Sequence, residues 1–204
     1  MRVAAIVPVA SIEGAKTRLG ESLDAEERHD LVERLLARTL GAVLAAERVD
    51  DVVVVSPDRD VLALAAQAGA RTLRQRTTGL NPAITEATMD AVAGGAEAIV
   101  VIPIDLPFVT AHDVDLILAA LDDGARMVVL TPDRHGTGTN ALVLRPPGVI
   151  DVAFGSDSRA AHRAAAIRAD ATYREITGPL TVDLDTPADL VYLESLDAER
   201  RHAG

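Results

Sequence analysis

The sequence has no cysteine and no tryptophan, and its 204 residues include only two Phe and two Tyr. Without cysteine, disulfides, thiolate metal sites and a cysteine nucleophile are all excluded. So few aromatic rings leave no stacking platform for single-stranded nucleic acid. Leu, Val, Ile and Ala must fill the core instead. Lysine is almost missing as well: Lys16 is the only one, and every other side chain counted as basic is Arg. Basic charge is in deficit, with 20 Lys and Arg against 31 Asp and Glu and a formal net charge of −11. That balance argues against nucleic acid or an anionic membrane as the main partner. An anionic substrate would have to be met by a local basic cluster or a metal ion. No apolar run approaches the ~20 residues of a membrane span. The N-terminus enters the strand-like run Val3-Ala4-Ala5-Ile6-Val7 with no signal-peptide pattern. A cytoplasmic protein is expected.

What is present is apolar and regularly patterned. About half of the residues are hydrophobic (49%), and the length suits one sizeable α/β domain over 1–204. Runs of strand length alternate with helical patterns. Residues 2–9, 52–55 and 98–104 read as strands, the second all Val and therefore buried on both faces, with a short strand at 71–73. Residues 24–47 read as a helix with Asp24 as N-cap and Glu27 completing the box. Helices are also expected over 58–67, over 82–93 with Asn81 as N-cap and Pro82 at the first position, and over 111–121 with Thr110 and Asp113 as the box. Beyond that, 127–130 and 141–144 read as strands around a Gly-rich loop. A helix follows over 157–168, capped by Ser156 or Asp157, then a strand over 173–176. A final helix over 187–196 has Thr186 as its cap. The alternation predicts a mostly parallel sheet covered on both faces, with ligands beyond the carboxyl ends of its strands.

Five segments at such positions carry candidate chemistry. The first loop, Val9-Ala10-Ser11-Ile12-Glu13-Gly14-Ala15-Lys16-Thr17-Arg18, offers glycine and the cations Lys16 and Arg18, without the spacing of a P-loop. Asp105 follows the strongest apolar run, where a carboxylate is costly unless paired or bound to metal. In Asp183-Leu184-Asp185, an extended backbone would turn both carboxylates one way and Leu184 to the core, a pair that a hard cation such as Mg²⁺ relieves. Gly136-Thr137-Gly138-Thr139-Asn140-Ala141 spells a formal G-x-G-x-x-A. The residues after it read as strand rather than helix, which rules out a dinucleotide fingerprint and leaves a loop of N–H groups and hydroxyls suited to an anion. Gly155-Ser156-Asp157-Ser158 leads into a helix whose start is a second candidate anion site, with His162 one turn on.

Together these segments resemble one family, the guanylyltransferases that activate phosphoenolpyruvate or 2-phospho-L-lactate in coenzyme F(420) biosynthesis. The resemblance rests on Ala15-Lys16-Thr17-Arg18-Leu19, Leu80-Asn81-Pro82-Ala83-Ile84, Asp105-Leu106-Pro107, Asp133-Arg134-His135-Gly136-Thr137-Gly138-Thr139-Asn140, Phe154-Gly155-Ser156-Asp157-Ser158 with His162, and Asp183-Leu184-Asp185-Thr186-Pro187. It implies a single-domain, Rossmann-like three-layer α/β sandwich of the nucleotide-diphospho-sugar transferase type, with a mostly parallel mixed sheet. It implies magnesium held by Asp105, Asp183 and Asp185. It places GTP at Lys16, Arg18, Leu80 and Asn81, and a small phosphorylated carboxylic acid at Thr139, Gly155 and Ser158. Asp105, Lys16 and Arg18 would serve catalysis, and a homodimer stays open. One departure stands out: where many members read Pro-Val-Lys after the first strand, this chain has Ala10, so Lys16 or Arg18 must carry more of the triphosphate. Two rivals remain beside this reading. One is a nucleotidyltransferase of the same fold acting on another phosphorylated small molecule. The other is a non-catalytic nucleotide-binding relative.

Overall fold

The computed structural model describes residues 1–11, 24–121, 126–184, 189 and 191. Its strands are β1 (Val3–Pro8), β2 (Asp51–Ser56), β3 (Arg71–Arg74), β4 (Ala98–Val101), β5 (Met127–Pro132), β6 (Thr139–Arg145) and β7 (Thr172–Glu175). Its helices are α1 (Ala25–Ala45), α2 (Arg59–Gln67), α3 (Leu80–Ala93), α4 (Ala111–Ala119) and α5 (Ser158–Arg168), with a 3-10 turn at Pro179–Thr181.

The strands form one sheet in the order β3-β2-β1-β4-β6-β5-β7. All pairings are parallel except those of β6, which runs against both β4 and β5. Alternation along each strand builds two separate cores. Val3, Ala5, Val7, Val52 and Val54 face α1, α2 and α4. Ala4, Ile6, Val53 and Val55 face α3 and α5. This is the three-layer sandwich with a mostly parallel mixed sheet, and the all-Val strand is buried on both faces.

The helix caps show how local chemistry sets the ends. Asp24 and Glu27 form the reciprocal box at α1, with the Glu27 N–H donating to Asp24 Oδ1 at 2.9 Å and the Asp24 N–H to Glu27 Oε2 at 2.9 Å. Val32, Leu36, Leu40 and Val43 then recur at helical spacing and are buried. Thr110 and Asp113 close the same box at α4. Two expected starts move. α3 begins at Leu80 with Gly79 (φ 110°) as its N-cap, so Asn81 and Pro82 lie inside the first turn. Proline is tolerated there because first-turn N–H groups have no intrahelical acceptor. α5 begins at Ser158, and Asp157 holds the N-cap place in a left-handed conformation (φ 55°) without a side-chain capping bond.

Two strand ends also differ. β4 ends at Val101; the Ile102 N–H still donates to the Ile6 carbonyl at 3.0 Å, but Pro103 has no N–H and the ladder stops. Asp105 therefore lies in a turn four residues past the strand. β6 begins at Thr139, paired with Pro132 across a register shift, so Thr139 is a strand residue. The expected final helix lies almost wholly outside the described residues.

Candidate active site

The order β3-β2-β1-β4 places β1 at the point where successive connections turn from one side of the sheet to the other. Beyond the carboxyl ends of β1 to β3 lies a cleft of about 390 Å³. Val9, Ala10 and Ser11 form one wall, and the segment from Gln75 to Leu80 the other. The second wall is braced from α3. Glu86 accepts from the N–H groups of Arg76 (3.0 Å) and Thr77 (2.9 Å) and from the Thr77 hydroxyl. The Thr77 hydroxyl and these backbone donors hold the Glu86 carboxyl below its ordinary range. Gln75 Nε2 donates to the carbonyls of Thr77 and Gly79, the latter at 3.0 Å. The residues of this wall other than Leu80 escaped the sequence reading. The signal was Gln75-Arg76-Thr77-Thr78-Gly79 ahead of a helix start, a polar run with no charge pattern of its own. Lys16 and Arg18 lie outside the described residues.

Asp105 and the Asp183 segment, 78 positions apart by number, meet at the same edge of the sheet. The Leu184 N–H donates to the Asp105 carbonyl at 2.9 Å. Leu184 itself is 1% exposed, as its inward orientation requires. Oδ1 of Asp183 is closed off from solvent. Two acidic residues on adjoining segments, one with a carboxylate oxygen withdrawn from water, suit a hard divalent cation with oxygen ligands. Asp185 lies outside the described residues. The segment is anchored from behind, where Asn140 Nδ2 donates to the Leu180 carbonyl at 2.9 Å and Arg134 pairs with the buried Asp189.

Thr139, Ser158 and His162 come together between the start of β6 and the first turns of α5. Thr139 is 8% exposed, Ser158 1% and His162 0%. Thr139 Oγ1 lies 3.0 Å from His162 Nδ1, and the Ala153 N–H donates to His162 Nε2 at 2.9 Å. The Phe154 ring packs edge-on against His162, centroids 5.3 Å apart. Burial pushes the imidazole down to about 4, so the ring is neutral near pH 7. Gly155 has φ 127°, and nothing stands within 4 Å of the place a Cβ would take. That open space lets a ligand approach the backbone closely.

Three residues take roles the sequence did not foresee. Asn81 faces Phe154 rather than the cleft: its Nδ2 donates to the Phe154 carbonyl (3.0 Å) and its Oδ1 accepts from the Phe154 N–H (2.8 Å). Leu80 does line the cleft. In the loop between β5 and β6, two of the expected donors are already used. Asp133 accepts from the Thr137 N–H at 2.8 Å, and the Gly136 N–H bonds the Asp133 carbonyl at 3.1 Å. A carboxylate built into the loop fills the place an anion would need. At α5, the N–H groups of Ser158 and Arg159 likewise bond the carbonyls of Gly155 (3.2 Å) and Thr137 (3.1 Å). A side-chain hydroxyl and the open face of Gly155 are among the groups left for an anion there. Arg159 secures this corner through two bonds to Glu175 (2.9 and 2.8 Å) and one to the Gly136 carbonyl (2.9 Å).

Known proteins share both fold and sequence with this chain. A nucleotidyl transferase from Methanothermobacter superposes with a TM-score of 0.69 at 16% identity, covering 98% of this chain and 99% of its own, which speaks to the fold. The phosphoenolpyruvate guanylyltransferase of Sphaerobacter thermophilus is 44% identical over 191 residues, 93% of this chain and 91% of the relative. The 2-phospho-L-lactate guanylyltransferase of Methanothermobacter thermautotrophicus is 36% identical over 159 residues, 78% of this chain and 68% of the relative. The family model for CofC-like guanylyl transferases matches residues 3–198, a span that includes the cleft, both acidic segments and the Thr139–His162 corner, and this chain belongs to that family of nucleotidyltransferases.

Proposed function

We propose that this chain transfers GMP from GTP to phosphoenolpyruvate in the cytoplasm, releasing pyrophosphate and supplying the activated three-carbon unit of coenzyme F(420) biosynthesis. The observation that carries the reading is the hydrogen bond from Leu184 to Asp105, which sets two acidic segments on the same sheet edge as the 390 Å³ cleft. The choice of acid leans on the 44% identical bacterial relative named for phosphoenolpyruvate.

The division of labour follows from the residues. The cleft between Val9–Ser11 and Gln75–Leu80 takes the guanosine part, gripping it through backbone groups and Leu80. Lys16 and Arg18 meet the triphosphate. Asp105, Asp183 and Asp185 would hold Mg²⁺, which when bound neutralises phosphate charge and orients the reacting oxygens. Thr139, Gly155 and Ser158 receive the carboxylate of the acid. A phosphate oxygen of the acid forms a bond to the α-phosphorus of GTP as the bond to the β-phosphate oxygen breaks. The bonding pair leaves with pyrophosphate. The attacking phosphate is already ionised, so no general base is required. Positioning two polyanions and neutralising their charge is what remains for the protein to do.

Pyrophosphate release, measured with GTP against phosphoenolpyruvate, 2-phospho-L-lactate and 3-phosphoglycerate, tests the proposal. Turnover with phosphoenolpyruvate and GTP, lost on chelation of divalent metal, is the expected result. Release with a different triphosphate, or with none of the three acids, would overturn it.

A further inference from the structure

We propose that His162 is a positioning residue: it donates its only ring proton to Thr139, so that the Thr139 hydroxyl proton is directed away from the ring and toward the acid substrate. The inference deepens the reading above and rests on Thr139 receiving that substrate.

A backbone N–H can only donate, and one such group sets the tautomer of the ring. The Ala153 N–H lies 2.9 Å from His162 Nε2, so Nε2 must present its lone pair. The ring has no exposed surface. Its burial, which holds the imidazole down to about 4, keeps it neutral at neutral pH. A neutral imidazole with a bare Nε2 carries its proton on Nδ1. Nδ1 lies 3.0 Å from Thr139 Oγ1, which therefore accepts. A hydroxyl has one proton to give, and with one lone pair engaged by the ring that proton is free to turn outward. Thr139 becomes a pre-set donor, the polarity an anionic carboxylate or phosphate needs.

The rest of the corner maintains this direction. Asn81 clamps both backbone groups of Phe154, and so fixes the adjoining Ala153 N–H that sets the tautomer. The Phe154 ring packs against the imidazole edge-on at an interplanar angle of 72°. Ser158 lies one helical turn before His162 on α5. A single hydrogen-bond relay therefore runs from the backbone at Ala153 to the hydroxyl at Thr139. The opposite tautomer, with the proton on Nε2 and Nδ1 bare, would reverse it: the Thr139 hydroxyl would donate to the ring and leave only lone pairs for the substrate.

Two measurements test it. In the wild-type protein, long-range ¹H–¹⁵N spectra of the imidazole should show a protonated Nδ1 and a bare Nε2. A protonated Nε2 at neutral pH overturns the proposal without any variant. In steady-state kinetics, Thr139→Val should raise KM for phosphoenolpyruvate about tenfold with KM for GTP unchanged. His162→Gln, which keeps an acceptor near Nε2 and loses the Nδ1 donor, should do the same. His162→Asn, with a donor near Nδ1, should recover most of the loss. The double variant Thr139→Val/His162→Gln should be no worse than Thr139→Val alone, because both remove one donor. Additive losses, or an equal rise in KM for GTP, would mean that His162 only supports the fold. If His162→Gln does not fold, the spectrum and His162→Asn decide. Should Thr139→Val leave KM for phosphoenolpyruvate unchanged, the placement of the acid at Thr139 falls, and this inference with it. A defective Thr139→Val beside additive His162 losses would overturn the inference alone.

Discussion

The two halves of the candidate site are built in opposite ways. The half proposed for the nucleotide is an open cleft whose second wall is a surface segment, Gln75 to Leu80, held in shape by the Glu86 carboxylate from α3. The half proposed for the acid is an interior corner, where Thr139, Ser158 and His162 are all under 10% exposed and the imidazole is bonded at both nitrogens. An open cleft can adapt to its ligand at the cost of ordering it. A closed corner fixes direction beforehand, which suits a substrate of few atoms that must present one oxygen in line. Between them lie Asp105 and the Asp183 segment, joined by one backbone hydrogen bond.

Removing the carboxylate charge at that junction should have the largest effect. Asp105→Asn is expected to lower kcat/KM at least about a hundredfold while moving Tm little, since the charge is lost and the backbone bond to Leu184 is kept. Rates near wild type at saturating Mg²⁺ would remove Asp105 from the metal site and leave the two halves without a shared centre.

Gly155→Val probes the closed half next. A β-branched residue at φ 127° is strained by about 1–3 kcal/mol, and its side chain would enter the open space in front of the backbone. KM for phosphoenolpyruvate should rise more than tenfold, beyond about 1.4 kcal/mol, with KM for GTP unchanged. Gly148→Val is the control: φ there is 78° and the space is also open, so it carries comparable strain away from the site and should spare both KM values. Equal kinetic losses from both variants would show strain rather than occupancy.

The open half should respond more mildly. Glu86→Ala removes the acceptor that braces the Arg76 and Thr77 N–H groups, so KM for GTP should rise several-fold while KM for phosphoenolpyruvate holds. A defect confined to the acid would reverse the assignment of the two halves.

The smallest effect is on stability against pH. The His162 imidazole falls from its ordinary 6.5 to about 4 on folding, so between those values the unfolded chain binds more protons. The stabilisation is therefore complete above about 6.5 and is lost as pH falls toward about 4. Thermal melts across that window should show a falling Tm that His162→Asn flattens. An unchanged slope in the variant would mean the ring is not the buried neutral group described.

Much of the sandwich was legible because periodicity and caps are local. The Val52–Val55 run reads as a strand with two buried faces, and Asp24 with Glu27, or Thr110 with Asp113, signals a helix start in four residues. Boundaries failed where a distant partner competed. Asn81 looks like an N-cap in sequence, but its amide is taken by Phe154, 73 positions away. The donors of the Gly-rich loop look available until the Asp133 side chain folds back onto Thr137.

The sequence by itself determined the element order, the core faces, the acidic character of the strand-end segments and the family pattern to which they conform. All of these depend on residues within a few positions of one another or on composition. The tertiary structure alone decided that Asp105 lies against Leu184, that Asn81 serves Phe154, and that His162 faces Thr139 with Ala153 behind it. Those contacts join residues 9 to 79 positions apart by number, and a hydrogen bond across such a separation exists only once the sheet has set the strand ends side by side.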